Sequence, residues 1–350
     1  MDIEHEVFNF EYSNARLFSL FNYLLKFMQD FLSMRTASFL LTATFLLLTS
    51  CVATPQDIAR DRQSRSNLDQ DPAISLKTVA VGEFTLHYSE TGEVGDPVIV
   101  FIHGTPGSWR SLGRMMTRTE LQNAARMISI DRPGWGDSII QGQRSEPDFE
   151  KQSELIVPLL AKLKQEAPDQ PLILAGHSYG GSISPFLAYK YPEYIDGVLM
   201  AASAIDPKLG KPRWYNYAAS IWPISRLIDQ RLQIANDEIW GVAKALRMMD
   251  TWWQTSTLPL IYVQGEDDEL VHPGNMDFAE KMFPKNSGRV VRLKNQGHLL
   301  HVQRRDLLSE LTLEVLEKSK MYLASRKNNP DNRSTDITEA TNLCTDSEIC

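Results

Sequence analysis

The middle of the chain alternates between short apolar runs and longer stretches in which apolar residues recur at helical spacing. Each run has the length of a strand that is buried on both faces of a sheet. Helical spacing is clear over 149–164, where Ile156, Leu159 and Leu163 would lie on one face. Strands that alternate with helices in this rhythm predict an α/β fold with a mainly parallel sheet and helices on both faces. The apolar runs are 98–102, 126–130, 172–175, 197–202, 258–263 and 289–293.

Two weaker β candidates precede the first run, and further helical segments follow it. Residues 78–80 and 84–88 are short β candidates, separated by Gly82 and Glu83. Pro185 lies inside one predicted helix, where it removes a hydrogen bond at a cost of about 3 kcal/mol. We therefore expect a kink at Pro185 or a helix that starts late enough to tolerate it. The further predicted helices are 109–119, 182–190 and 301–324.

The run at 172–175 leads directly into a G-x-S-x-G pattern, Gly176-His177-Ser178-Tyr179-Gly180. A sharp turn from strand to helix forces such a serine into strained backbone geometry and lifts its hydroxyl out of the sheet. A side chain at 176 or 180 would collide where the two backbones come close. The helix dipole then points at any negative charge that forms beside the serine.

This strand, turn and helix resemble the nucleophile elbow of the α/β-hydrolase superfamily, with Ser178 as nucleophile. Two other stretches are similar to the same superfamily: the His-Gly pair at 103–104, and the loop 131–138, which has the pattern D-x-x-G-x-G-x-S. The resemblance covers roughly 76–325 and implies an eight-stranded sheet with a small helical lid. It also implies an oxyanion hole, formed by the backbone amides of Thr105 and Tyr179.

The resemblance further assigns the catalytic acid. Residues 265–273 follow the superfamily pattern G-x-x-D-x-x-V-x-P, which places the acid at Asp268, with Asp267 as its rival. A carboxylate in this place accepts a hydrogen bond from the imidazole Nδ1–H of the base, fixes its tautomer and stabilises the imidazolium. A run of four acids would otherwise be interpreted as a solvated loop.

The base is expected at His298, which follows a glycine in the loop after the last strand. His301 is the rival, but its spacing suits the first turn of the next helix and favours a structural role. The chain order serine, acid, histidine is the order of this fold. Three other polar residues are expected to be structural: His103 through hydrogen bonds to its own loop, His272 by lining its loop, and Asp131 because it follows the wrong strand for the acid.

About fifty residues separate the runs at 197–202 and 258–263, more than a simple crossover helix requires. The superfamily inserts a lid at this point, and we place it at 207–253. The aromatic residues concentrated here either bind substrate or pack small helices onto the core. They are Trp214, Tyr215, Tyr217, Trp222, Trp240, Trp252 and Trp253.

The resemblance implies a serine hydrolase that cleaves a carboxylic ester of a small-molecule acyl substrate without a cofactor or metal. Ser178 argues against haloalkane dehalogenases and epoxide hydrolases, which use Asp there. A prolyl-type aminopeptidase, an amidase and an acyltransferase stay open as alternatives, although Thr105 departs from the H-G-G-P-G of the aminopeptidases. A non-catalytic binding lipoprotein on the same scaffold is the alternative from another class.

The composition and charge of the chain bear on which kinds of partner it binds. The net charge is -8, and no basic cluster lies on any predicted face, so nothing indicates a nucleic-acid partner. The hydrophobic content of 43% and charged content of 23% are those of an ordinary globular protein. None of the three cysteines has zinc-site spacing.

The region before the fold predicts export. Residues 34–50 have the basic start, apolar stretch and small residues of a signal peptide. The tetrapeptide that ends in Cys51 resembles the lipobox of bacterial lipoproteins, which implies a lipid on Cys51 and a membrane anchor. This predicts the bacterial cell envelope, on the periplasmic face of the outer membrane. A plain signal peptide and an uncleaved anchor are the alternatives.

The remaining boundaries follow from these assignments. Residues 1–33 lie upstream of the signal, so either translation begins at Met34 or this segment is an extra anchor. After 325 the chain is rich in Asn, Asp, Ser and Thr, which predicts disorder. The predicted organisation is an extension at 1–33, a signal at 34–50, a tether at 51–75, the core at 76–206 and 254–325 around the lid at 207–253, and a tail at 326–350. A surface helix over 56–66 is the alternative to the tether.

Overall fold

The computed structural model describes residues 67–142, 146–222 and 224–328, and these contain one eight-stranded sheet. The sheet order is β1-β2-β4-β3-β5-β6-β7-β8. β1 and β2 are antiparallel to their neighbours, and the other strands are parallel, which confirms the predicted fold class. The strands are β1 (Ser75–Val81), β2 (Phe84–Thr91), β3 (Val98–Ile102), β4 (Arg126–Ile130), β5 (Leu172–His177), β6 (Gly197–Ala201), β7 (Leu260–Gly265) and β8 (Gly288–Leu293).

The central strands are buried on both faces, as their continuous apolar runs predicted. Every residue of β3, β4, β5, β6 and β7 is buried. Alternate side chains of β3 enter two separate core layers, with Val100 on one side and Phe101 on the other. Ile156 and Phe186 pack in the first layer, and Leu316 packs in the second. The sheet therefore has helices on both faces.

Helices fill the connections, and some differ from their predicted bounds. The predicted helix 109–119 is two short helices, and 301–324 is interrupted at Arg304 and then continues to Asn328. The helices are α1 (Trp109–Gly113), α2 (Thr119–Gln122), α3 (Phe149–Glu166), α4 (Tyr179–Lys190), α5 (Trp214–Ser220), α6 (Ile224–Leu227), α7 (Gln230–Met248), α8 (Trp252–Thr255), α9 (Gly274–Met282), α10 (Leu300–Gln303) and α11 (Arg305–Asn328).

Of the two expectations for the helix behind Ser178, a kink at Pro185 or a late start, the late start is wrong. α4 begins at Tyr179 and contains Pro185 in its interior. Its residues from Tyr179 to Ala188 are all buried, and the free energy of that burial offsets the single hydrogen bond that Pro185 cannot donate.

The predicted lid segment contains α5, α6 and α7, and α8 begins near its end. Among the described helices, none is long and apolar enough to cross a membrane. The predicted extension, the signal, Cys51 and the tether up to residue 66 lie outside the described residues, as does the tail from residue 329.

Candidate active site

The turn at Ser178 has the strained geometry that its pattern predicted. Ser178 lies between the end of β5 and the start of α4, with φ 55° and ψ −125°. A Cβ atom at Gly176 would overlap the carbonyl oxygen of Gly180, and one at Gly180 would overlap that of Ile102. The two glycines therefore permit the contact between strand and helix backbones that exposes the serine.

Three predicted side chains form one continuous chain of hydrogen bonds. His298 Nε2 lies 3.0 Å from Ser178 Oγ, and His298 Nδ1 lies 2.9 Å from Asp268 Oδ2. Because a carboxylate only accepts hydrogen bonds, Nδ1 carries the proton and Nε2 is free to accept from the serine hydroxyl. The site lies at the carboxyl edge of the sheet, where β5 ends at Ser178 and the loops after β7 and β8 carry Asp268 and His298.

Hydrogen bonds hold the acid in place. Asp268 is buried, and its Oδ1 accepts from the backbone amides of Leu270 at 3.0 Å and Val271 at 2.8 Å. Gln264 Nε2 approaches Oδ2 at 3.2 Å. The rival Asp267 is exposed, and its backbone amide donates to the carbonyl of Gln296. The structure thus brings Asp268, and not Asp267, to the histidine.

The rival histidine has a different neighbour. His301 Nδ1 lies 3.2 Å from His177 Nε2, which in turn donates to the carbonyl oxygen of His298 at 2.9 Å. Burial, with the charges of His298 and nearby arginines, lowers the pKa of His301 to about 3. Burial also lowers the pKa of His177 well below its usual value. These neutral rings support the loop of His298. No local pattern predicted this role of His177, because any residue can lie between the first glycine and the serine of G-x-S-x-G.

The predicted oxyanion loop lies against the nucleophile. A Cβ atom at Gly104 would approach Ser178 Cβ at 2.9 Å, so only glycine fits there without a shift. His103 Nδ1 donates to the carbonyl oxygen of Gly104 at 2.6 Å, and His103 Nε2 accepts from the Arg132 amide at 3.0 Å. Burial, aided by the Arg132 charge, holds the pKa of His103 well below its usual value, so the ring is neutral. His103 has the structural position that was expected for it.

Comparison with known protein families gives a match over more than half of the chain. The family described as the alpha/beta hydrolase family matches residues 99–311. The chain belongs to this family.

Individual relatives of the hydrolase are distant. Lipase 1 of Psychrobacter immobilis is 22% identical over 297 residues, which cover 73% of this chain and 86% of the lipase. YfhM of Bacillus subtilis, an AB hydrolase superfamily protein, is 20% identical, and the match covers 70% of this chain and 98% of YfhM. The match covers only 10% to 35% of the length of several other curated relatives, among them PHYLLO of Arabidopsis thaliana at 10%.

Solved structures share the fold of the hydrolase. The epoxide hydrolase VrEH1 of Vigna radiata has a TM-score of 0.55 at 17% identity, and the match covers 71% of this chain and 99% of VrEH1. The 2-hydroxy-6-oxo-6-phenylhexa-2,4-dienoate hydrolase of a Rhodococcus strain has a TM-score of 0.54 at 16% identity, and the match covers 70% of this chain and 99% of that enzyme. At these identities the likeness concerns the fold.

Asp131 of the hydrolase holds a loop together. Its carboxylate accepts from the backbone amides of Trp109 at 2.7 Å and Asp137 at 3.0 Å, and its Oδ2 lies 3.0 Å from His87 Nδ1. Burial raises the pKa of Asp131, and these hydrogen bonds oppose that rise. Oxygen and nitrogen atoms of His87, Asp131 and Asp137 lie close enough to hold a metal ion, but both Asp131 oxygens already accept from protein donors. His272 is exposed and accepts from the amide of Gly274 in its own loop.

The aromatic residues of the predicted lid segment 207–253 divide into two groups by burial. Trp253 is fully buried and stacks on Phe283 with a centroid distance of 5.4 Å, so it packs the core. Trp214 and Trp222 are 79% and 70% exposed. The interpretation as core packing therefore applies to Trp253 and not to these two.

A buried ion pair beside the site was missed by the sequence analysis. The side chains of Arg132 and Glu238 are both fully buried, and Arg132 Nη1 donates to Glu238 Oε1 at 2.7 Å. The two residues are 106 positions apart, so no local pattern links them. Arg132 lies in the predicted loop 131–138, where an arginine among turn residues gives no sign of burial.

Proposed function

We propose that the hydrolase cleaves a carboxylic ester through an acyl-enzyme on Ser178. The observation that carries the proposal is the unbroken series of hydrogen bonds from Asp268 through His298 to Ser178. At this distance the Ser178 hydroxyl can pass its proton to His298 Nε2 while the serine oxygen attacks a carbonyl carbon. One distant relative, Lipase 1 of Psychrobacter immobilis, has this class of chemistry in its name.

The first half of the reaction forms the acyl-enzyme. Ser178 Oγ bonds to the ester carbonyl carbon while His298 Nε2 takes its proton, and Asp268 stabilises the resulting imidazolium. The backbone amides of Thr105 and Tyr179 donate to the oxygen that becomes negative. Neither amide donates to another acceptor among the described residues, which leaves both available. The tetrahedral adduct then expels the alkoxide, which receives the proton from His298.

The second half regenerates the enzyme. Water gives a proton to His298 and attacks the acyl carbon, and the adduct collapses to release the carboxylic acid and return the proton to Ser178 Oγ. The aminopeptidase alternative requires a free carboxylate for the substrate amine. Glu238 is the fully buried carboxylate of the lid, and Arg132, Trp135 and Gln152 already occupy it. This favours the ester.

The test is the change Ser178→Ala, measured as kcat on p-nitrophenyl butyrate. Loss of the nucleophile should lower kcat by about 10⁴ to 10⁶-fold. Ser184→Ala is the matched control on the same helix, since Ser184 Oγ donates to the Gly180 carbonyl at 2.7 Å and not to Ser178. A fluorophosphonate probe should label Ser178 and nothing in Ser178→Ala. Unchanged kcat in that variant, or no labelling of the native protein, contradicts the proposal and supports the non-catalytic scaffold.

We also infer a lipid anchor at Cys51, and this rests on the lipobox-like sequence alone. Metabolic labelling with a palmitate analogue in a bacterial host tests it. The native chain should carry label and sediment with membranes, and Cys51→Ala should do neither. Label on the Cys51→Ala chain contradicts the inference.

A further inference from the structure

We propose that Arg132 is a positioning residue for the oxyanion hole and that Glu238 of the lid helix α7 holds it in place. The inference rests on the proposed function, because it concerns the amide of Thr105. It links two parts of the hydrolase that are separate in sequence: the lid, and the loop that would stabilise the transition state.

The guanidinium of Arg132 is fully satisfied. It has five N–H groups, and each has an acceptor within 3.1 Å. Nε donates to the carbonyl of His103 at 2.9 Å, and Nη2 donates to the carbonyl of Gly104 at 3.0 Å. The other three donate to Glu238 Oε1 and Oε2 and to Gln152 Oε1. A lysine has three donors on one atom and cannot span these acceptors.

The Gly104 carbonyl, which accepts from Arg132, belongs to the same peptide group as the predicted oxyanion donor, the Thr105 amide. The carbonyl of Gly104 and the amide of Thr105 belong to one planar trans peptide, so the C=O and the N–H point in opposite directions. Two donors, Arg132 Nη2 and His103 Nδ1, hold that carbonyl at 3.0 and 2.6 Å. They therefore fix the direction in which the Thr105 N–H points, and they polarise it.

The second predicted donor is in contact with the same arginine. The guanidinium carbon of Arg132 lies 4.3 Å from the centre of the Tyr179 ring, which is cation–π distance. Gln152 Nε2 donates to Tyr179 Oη at 3.0 Å and lies 3.2 Å from Glu238 Oε1. One buried network thus holds the residues of both predicted oxyanion amides.

Glu238 makes this network depend on the lid. It lies on α7 (Gln230–Met248), is fully buried, and also accepts from Trp135 Nε1 at 3.0 Å. A buried guanidinium that has lost its carboxylate would either draw water into the site or move out toward solvent. Displacement of α7 would therefore release Arg132 from the Gly104 carbonyl. We infer that the lid must be docked for the oxyanion hole to have its working geometry.

The experiment removes the pair together, so that no buried charge is left alone. Arg132→Met/Glu238→Leu should lower kcat by about 100-fold while KM for p-nitrophenyl butyrate changes less than threefold. The inhibition constant of a trifluoromethyl ketone, which forms an oxyanion on Ser178, should rise by the same factor as kcat/KM falls. The matched control is Arg126→Met/Glu90→Leu, a second buried Arg–Glu pair, for which both quantities should stay within threefold.

Two milder variants keep the test decisive if the double variant does not fold. Arg132→Lys keeps the charge and Glu238→Gln keeps the shape, and each should lower kcat at least tenfold with a small change in KM. The loss of kcat in Arg132→Lys/Glu238→Gln should be close to the larger of the two single losses and well below their product, since both residues act on one peptide. The inference is overturned if folded variants of Arg132 and Glu238 retain kcat and inhibitor affinity, or if the control loses them equally. Titration with a fluorophosphonate separates this from failure of the proposed function, in which the native chain is not labelled.

Discussion

Two buried arginines lie at opposite ends of β4 and use the same chemistry for different purposes. Arg126 begins the strand and pairs with Glu90 and Glu166 at 2.9 and 2.7 Å. Arg132 lies just beyond its end and pairs with Glu238 at 2.7 Å. The partners of Arg126 are the carboxylates of β2 and α3, which are parts of the scaffold. Arg132 in addition holds the backbone of the loop beside Ser178.

This contrast extends to the two edges of the sheet. At the amino edge, Lys164 pairs with the buried Asp196, which also accepts from the amide of Leu172 that begins β5. That contact aligns two strands. At the carboxyl edge the buried polar groups converge on Ser178 and His298. Burial of a charge therefore does not identify its role, whereas the backbone groups that the charge contacts do.

The largest predicted effect is a loss of kcat when the carboxylate of Asp268, at the carboxyl edge, is removed. Asp268→Asn should lower kcat by about 10⁴-fold, because an amide cannot hold the His298 Nδ1–H tautomer as a carboxylate does. Asp267→Asn is the matched control, one residue away and exposed, and should leave kcat unchanged. Steady-state kinetics on p-nitrophenyl butyrate measure both. Equal losses in the two variants would show that the loop, and not the acid, was disturbed.

The amino edge should respond in stability and not in rate. Arg126→Met leaves Glu90 buried and should lower the free energy of unfolding by about 3 kcal/mol. This is the lower end for a broken buried pair, because Lys77 Nζ remains 3.1 Å from Glu90. Urea unfolding measures the loss of stability. The value of kcat, divided by the number of active sites that a fluorophosphonate labels, should stay at the native value. A fall in that kcat would remove the distinction between the two edges.

Two glycines next to site residues should differ in the same way. Gly176→Ala places a Cβ on the carbonyl of Gly180 and should cost about 1–3 kcal/mol of unfolding free energy, with loss of kcat because Ser178 moves. Gly297, next to His298, is the control: its Cβ would meet only the Asp267 carbonyl, at 3.7 Å, an ordinary contact. Thermal unfolding compares the Tm values of Gly176→Ala and Gly297→Ala. A native-like Gly176→Ala protein would contradict the tight elbow.

The smallest effect should be in the pH dependence of stability. The pKa of His301 is about 3 in the folded protein and near 6.5 when unfolded, so the unfolded chain binds the extra proton between these values. Stability is therefore complete above pH 6.5 and falls as the pH is lowered toward 3, by about 1.4 kcal/mol per pH unit at most for this group. His301→Asn should flatten the slope in urea unfolding at pH 7, 6 and 5. A slope equal to the native one would show that His301 is not held neutral.

The sequence predicted the sheet well because its strands are buried on both faces. A run such as 98–102 must be apolar throughout, and its position is visible without knowledge of its neighbours. The short helices α1 and α2 were predicted as one, since the residues that separate them carry no strong break. The start of α4 was predicted too late because of Pro185. Local helix propensity does not include the free energy gained when the whole helix is buried.

The site was predictable where a local pattern fixes the backbone, and it was not where distant residues meet. The resemblance placed Ser178, Asp268 and His298, which the structure brings into hydrogen-bonding distance. The pair Arg132–Glu238 leaves no trace in the sequence, because a buried charge and a solvated charge look alike in one dimension. Their exposure is known only after the lid helix is in place.

The position of β8 has a consequence for how the chain is made. β8 pairs only with β7 and forms one edge of the sheet, and its residues are only partly buried. The loop that follows β8 carries His298, whereas Ser178 was synthesised 120 residues earlier. A growing chain therefore holds its nucleophile long before it holds a base. Until β8 has emerged and paired with β7, Ser178 has no histidine beside it to accept its proton, and the proposed reaction cannot begin.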